Sequence, residues 1–234
     1  INYGCPVKKV VCKGAGAGIL KDIPKMVSLT KAIVERTALP VTVKTRLGWD
    51  HDSIHIVEVA ERLQDVGAQA ISIHGRTRAQ MYKGEASWHP IAEVKNNPRM
   101  YIPVFGNGDV DSPEKAVLMR DDFGLDGAMI GRASIGNPWF FAQVKHYFET
   151  GHYLSTPNIK DRVEMARRHL QMSIEWKGEK LGVFETRRHY TNYFKGIPHF
   201  KEYRQQMVTT DDSAGVFAVF DEVVSVFGEE ELLI

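Results

Sequence analysis

Tyr101-Ile-Pro-Val-Phe-Gly-Asn-Gly-Asp109 and, some twenty residues later, Asp126-Gly-Ala-Met-Ile-Gly-Arg132 decide how the chain folds. Each is a short apolar run that stops at glycine and a polar tip. Such runs are too short for a helix and suit strands buried on both faces. Glycine at the carboxyl end of a strand lets backbone N–H groups approach a ligand closely. Two adjacent strand ends of this kind, the second tipped by Arg132, have the form of the phosphate site of a (β/α)8 barrel.

Working outward, the same unit recurs. Strands are predicted from about residues 41, 70, 102 and 127, giving four βα units in a row. Pro40-Val-Thr-Val-Lys-Thr-Arg-Leu-Gly-Trp49 and Ala70-Ile-Ser-Ile-His-Gly-Arg-Thr77 supply the first two strands with their loops. Between them, Ile56, Val59, Ala60 and Leu63 mark one face of a helix over 55–66. Asp22-Ile-Pro24 starts an earlier helix, whose apolar stripe is read as Val27, Ile33 and Val34. His89-Pro90 and Ser112-Pro-Glu114 open two more. Cys5 to Gly18 is small, glycine-rich and basic, so it is assigned to a surface loop; it lacks the GK[ST] ending of a nucleotide-binding loop. Parallel strands with helical crossovers allow either an α/β barrel or an open doubly wound sheet, and both place polar groups at the carboxyl ends.

Ile1 to Pro6 looks like the end of one more strand running into its loop, and the chain begins without methionine. On the barrel reading about five of eight units are present and the N-terminal strands are missing. The expected organisation is therefore residues 1–150 as the C-terminal part of a TIM barrel and 151–234 as a small all-helical domain. Helices there are predicted over 160–177, 184–194, 201–207 and 213–227. The first three are basic, and Tyr190, Tyr193 and Phe194 are interleaved among the cations. After Arg204 come acids and no lysine or arginine. A basic, aromatic-rich helical surface suits a phosphate backbone.

Totals limit the function classes. Of 234 residues, 43% are hydrophobic and 25% charged, ordinary for a soluble globular chain, and the net charge of +1 gives no case for nucleic acid by itself. Two cysteines, Cys5 and Cys12, read as free thiols of a reducing compartment, and their spacing fits no zinc pattern, so no metal is expected. No apolar run approaches a membrane span, and no signal peptide is visible. A cytoplasmic monomer without membrane attachment is the expectation.

Several polar residues fall on the strand-end rim. Cys5 lies where the first strand stub becomes a loop; an ordinary thiol, with pKa about 8.5, is protonated at neutral pH and can donate a proton. Lys44 and Arg46 alternate on their strand and share a face. A lysine in an apolar barrel mouth needs an anionic partner such as a phosphate or a reduced flavin ring. His74 ends the next strand. Asn107, Gly108 and Asp109 offer amide, backbone and carboxylate. Gly131 and Arg132 suit a phosphate, with the helix after Asn137-Pro138 following.

Together Asn2-Tyr-Gly-Cys-Pro6, Val43-Lys-Thr-Arg-Leu-Gly-Trp49, Ile73-His-Gly-Arg-Thr77, Phe105-Gly-Asn-Gly-Asp109 and Met129-Ile-Gly-Arg132 resemble the tRNA-dihydrouridine synthases, most closely their bacterial branch whose loop reads GCPV-K-K-V. The resemblance covers residues 1 to about 139, and the helical tail is similar in position and charge to that family's tRNA-binding domain. It implies an FMN-dependent oxidoreductase acting on a CH–CH bond, reducing uridine in tRNA to 5,6-dihydrouridine with NADPH. Hydride would come from the flavin to carbon 6, and Cys5 would protonate carbon 5 as general acid. Lys44 would stabilise the reduced flavin; His74 and Asn107 to Asp109 would line the ring and ribityl chain, Gly131 and Arg132 the phosphate. Asn2 and Arg76 are candidates for the target nucleotide. The rival expectations are a barrel flavoprotein acting on a small pyrimidine-like substrate, and a non-catalytic RNA-binding protein.

Overall fold

A computed structural model describes residues 1–228. The acidic end of the tail, 229–234, lies outside the described residues. Contacts divide the chain into two compact units, Ile1–Ala133 and Ser134–Ile234.

The first unit contains β1 (Thr42–Arg46), β2 (Ala70–His74), β3 (Val104–Asn107) and β4 (Gly127–Met129), with helices α1 (Lys8–Val11), α2 (Ile23–Val34), α3 (Ile56–Asp65), α4 (His89–Asn96) and α5 (Pro113–Asp121). All four strands are parallel, in the order β1-β2-β3-β4. A doubly wound sheet reverses its winding at a switch point. This one does not, and the strands follow one another as in the wall of a (β/α)8 barrel. Asn2 bridges Lys44 in parallel, and the Tyr3 N–H donates to the Lys44 carbonyl at 2.7 Å, so Ile1–Tyr3 occupies the next wall position. The register sets Arg46, His74, Asn107 and Met129 in one row across the strand ends.

Burial follows the apolar pattern. Ile71, Ile73 and Val104 are fully buried, and α3 buries the predicted face of Ile56, Val59, Ala60 and Leu63. In α2 the stripe differs from the sequence reading: Met26 and Thr30 are buried, whereas Ile33 is exposed. Thr30 goes inward because its hydroxyl meets the Tyr3 hydroxyl at 3.1 Å and donates to the Met26 carbonyl at 2.9 Å. The Cys5–Gly18 segment is likewise more than a surface loop. It carries α1, and Gly16 and Ala17 are buried. A Cβ at Gly16 would stand 2.7 Å from the Cys5 carbonyl oxygen, and one at Gly18 2.7 Å from that of Val11. These glycines let the loop fold back on its own backbone.

The second unit is helical: α6 (Phe140–Thr150), α7 (Ile159–Lys177), α8 (Glu179–Tyr193), α9 (Lys201–Thr209) and α10 (Ser213–Phe227). The sequence assigns the helix after Pro138 to the barrel; by contacts α6 groups with the helices that follow. α8 begins five residues before its predicted start at Phe184. Gly178, at φ 82°, makes the whole turn, and Gly182 lies where a Cβ would be 2.7 Å from the Ile174 backbone. Glycine here is a close helix contact, not a helix stop. Asn158 and Asp212 cap α7 and α10 by accepting from the N–H groups of Asp161 and Gly215. Leu170, Tyr190, Met207, Val216 and Phe220 form the fully buried centre. Among the described residues no helix is long and apolar enough to cross a membrane.

Candidate active site

At the carboxyl ends of the strands lies a cavity of about 690 Å³, within the range of small-ligand sites. Nine of the ten residues singled out from the sequence line it: Asn2, Cys5, Lys44, His74, Asn107, Gly108, Asp109, Gly131 and Arg132. Arg76 does not.

Lys44 enters from β1 and its ammonium donates to Asn107 Oδ1 at 3.0 Å. Asn107 Nδ2 donates onward to the Met129 carbonyl at 2.7 Å, so the amide fixes the lysine and ties β3 to β4. Burial, and then the neighbouring Arg46, push the Lys44 pKa down. Among the described residues Lys44 makes no ion pair. A partly buried cation held by a neutral amide calls for an anion from a ligand.

His74 ends β2 with only 7% of its surface exposed. Burial, then the charges of Arg46, Lys44 and Arg76, bring its pKa to about 3, against a weaker opposing pull from Asp109. It is neutral at physiological pH and acts here as a hydrogen-bonding wall, without a proton to give as imidazolium.

Asp109 holds the rim together. Its carboxylate accepts from both terminal nitrogens of Arg76 at 2.9 and 2.7 Å, from Arg132 at 2.9 Å and from the Ala86 N–H at 2.8 Å. Burial alone would raise its pKa; the Arg76 and Ala86 hydrogen bonds and the two arginine charges outweigh that and hold it below the usual carboxylate range. Arg76, 2% exposed, also donates to the carbonyls of Lys83 and Gly84. All of its visible bonding is thus to protein, and it reaches the cavity through Asp109. Arg132 remains 61% exposed at the rim, its guanidinium 5.2 Å from the Tyr82 ring centre.

Arg46 is 1% exposed and acts as a clamp, donating to the carbonyls of Gly4, Thr77 and Met81. It joins the Cys5 loop to the loop after β2. Cys5 is partly exposed, and its carbonyl accepts from the Ala17 N–H at 2.9 Å. The Asn2 side chain accepts from the Gly4 N–H at 2.9 Å, turning the chain toward Cys5. Tyr82, which lines the cavity, has no signal in the sequence beyond being an aromatic in a polar loop.

Gly108 sits at φ 116°, and a Cβ there would be 2.7 Å from Ala86 and 2.9 Å from the His74 ring. Gly108→Ala is expected to cost about 1–3 kcal/mol and to displace His74, visible as a lower melting temperature with weaker ligand binding.

A flavin mononucleotide fits this donor set. Lys44 and Arg132 supply cations, Asn107 an amide and His74 a neutral imidazole, and a Cβ at Gly131 would meet no atom within 4 Å. Among the described residues no group of three or more His, Cys, Asp or Glu is placed to hold a metal.

Residues 1–226 match the family model for dihydrouridine synthase (Dus). "Probable tRNA-dihydrouridine synthase 1" of Synechocystis sp. is 41% identical over 225 residues, covering 96% of this chain and 62% of that protein. "tRNA-dihydrouridine synthase B" of Pseudomonas aeruginosa is 40% identical over 91% of this chain and 64% of its own length. "Probable tRNA-dihydrouridine synthase" of Rickettsia conorii is 37% identical over 92% and 65%. The chain thus spans less than two thirds of the length of these curated relatives.

Proposed function

The chain belongs to the dihydrouridine synthase family, and from that premise we propose that it carries the catalytic centre of an enzyme that reduces uridine in tRNA to 5,6-dihydrouridine. FMN is the proposed cofactor and NADPH the proposed source of electrons. The observation that carries the proposal is the half-buried Lys44 ammonium, fixed by Asn107 and without a carboxylate, in a cavity that also presents Cys5 and Arg132.

Bound flavin would supply hydride to carbon 6 of the uracil ring. The residues of the chain do the rest. Lys44 offsets negative charge on the cofactor ring, held in place so that little reorganisation is needed. Arg132 and the Gly131 segment receive the phosphate, with Asp109 orienting the guanidinium. His74, neutral and buried, hydrogen-bonds without adding charge. The Cys5 thiol gives its proton to carbon 5, completing addition of two hydrogens across the C5–C6 bond, and the resulting thiolate is reprotonated by solvent. Asn2 lines the same cavity and is proposed to contact the target nucleotide; Arg76 is proposed to serve it indirectly, by holding Asp109. The uridine must leave its stack to reach such a cavity.

The test is incubation of the protein with FMN, NADPH and unmodified tRNA, followed by mass analysis of the nucleosides. The expected result is a uridine that gains two hydrogens. Flavin reduction by NADPH with free uracil as acceptor, and none with tRNA, would favour a small-molecule oxidoreductase instead.

A further inference from the structure

Met81 stands in the left-handed backbone region, at φ 54°. Among the described residues the other non-glycine residues there are Asp109 and His199, whose types are enriched in that region. Methionine has no such preference. It fills the first central position of the turn Gln80–Lys83, which the Lys83 N–H closes by donating to the Gln80 carbonyl at 2.8 Å. A positive φ at that position normally calls for glycine. Strain of this kind persists where the surroundings fix it, and it clusters at functional sites.

The surroundings do fix it. Buried Arg46 donates from Nη1 to the Met81 carbonyl at 2.9 Å and from Nε to the Gly4 carbonyl at 2.8 Å. One planar guanidinium thus joins the backbone at Met81 to the backbone immediately before Cys5. On the other side, the Thr77 N–H donates to Gln80 Oε1 at 2.8 Å and the Gln80 N–H to Thr77 Oγ1 at 3.3 Å. Met81 itself is 40% exposed and lines the strand-end cavity, as Cys5 does. Its thioether arm is an unbranched apolar wall on a pinned backbone, beside the segment that carries the thiol.

We propose that Met81 sets what the site accepts at carbon 5 of the pyrimidine, closing the cavity beside Cys5 against a substituent there. The inference rests on the proposed function, in which the Cys5 thiol gives its proton to carbon 5. That atom then faces the thiol, and a group attached to it projects toward the walls next to Cys5. A hydrogen fits there and a methyl group meets the Met81 side chain. The site is thereby selective for uridine over 5-methyluridine.

The test uses the protein with FMN and NADPH and two tRNA transcripts, one made with uridine and one with 5-methyluridine in its place. The rate at which each nucleoside gains two hydrogens is read by mass. The methyl group also lowers intrinsic reactivity, equally for every variant, so the quantity compared is the ratio of the two rates. Met81→Gly suits the backbone conformation and removes the wall; it should keep flavin absorbance and uridine turnover, and narrow the ratio about 10-fold or more. Met81→Leu restores an apolar arm of similar volume and should keep the wild-type ratio. A wild-type ratio in Met81→Gly, equal rates on both transcripts in the wild type, or loss of uridine turnover in a flavin-loaded Met81→Gly would each overturn the assignment. No reduction of the uridine transcript by the wild type would instead remove the reading on which it rests.

Discussion

Cys5→Ala is expected to bind FMN and tRNA like the wild type and to form dihydrouridine at least ~100-fold more slowly, the usual contribution of a positioned general acid. The binding side of this expectation follows from the backbone. Cys5 is held through its carbonyl, by Ala17, and through its packing on Gly16, and alanine preserves both. The kinetic side follows from the shortage of donors. His74, with its pKa brought to about 3, carries no imidazolium proton. Lys44 has its ammonium committed to Asn107 and is assigned to charge stabilisation. Cys5→Ser should fall between wild type and alanine, since a hydroxyl in the same place is a weaker acid. Single-turnover reoxidation of the flavin by tRNA isolates this step from binding. Full turnover in Cys5→Ala would move the proton to another lining group, with the Tyr82 hydroxyl the first to replace.

Asp109→Ala is expected to destabilise the first unit by about 3 kcal/mol or more, because it leaves the Arg76 charge buried without its carboxylate. Arg76 would keep the Lys83 and Gly84 carbonyls, which are neutral, and lose a bidentate partner. Arg132 would lose its orienting contact at the same time, so phosphate binding should weaken together with stability. Calorimetry should show the corresponding transition lowered by about 10 °C. Arg76→Met/Asp109→Leu, which removes both charges, should recover much of the stability and none of the phosphate binding. The pH dependence has a definite sign. The folded-state pKa of Asp109 is depressed, so its stabilising contribution is fully present above the unfolded carboxylate value of about 3.9 and is lost as pH falls through the lower folded value. The wild type should therefore lose stability below about pH 4 by a component that Asp109→Ala lacks. Unchanged melting in Asp109→Ala would contradict the role assigned to the pair.

The strand-end site is legible in the sequence to the extent that its determinants are local. An apolar run ending in Gly106-Asn107-Gly108-Asp109 encodes a buried strand and an open tip in nine residues, and alternation along β1 puts Lys44 and Arg46 on one face. What joins these tips is not local. The Arg76–Asp109–Arg132 chain depends on the parallel register of β2 with β3 and on a loop returning to place the Ala86 N–H beside the carboxylate. No periodicity carries that information, so Arg76 reads from the sequence as a substrate contact when its guanidinium is turned into the protein. Thr30 in α2 and Gly182 in α8 mislead for the opposite reason. The apolar stripe read along α2 leaves out Thr30, and the helix predicted over 184–194 leaves out Gly182, while the place of each is set by a distant partner: the Tyr3 hydroxyl for one, the Ile174 backbone for the other. The glycines of the Cys5 loop belong with them, since their use is close backbone packing.

Diffraction from crystals of the protein soaked with FMN is the most direct measurement. The isoalloxazine ring should lie within contact of the Lys44 ammonium and the Asn107 amide, the phosphate should sit at Gly131 and Arg132, and the Cys5 sulfur should face the exposed side of the ring. Flavin density elsewhere on the molecule, or a strand-end cavity that stays without flavin at saturating concentration, would contradict the assignment.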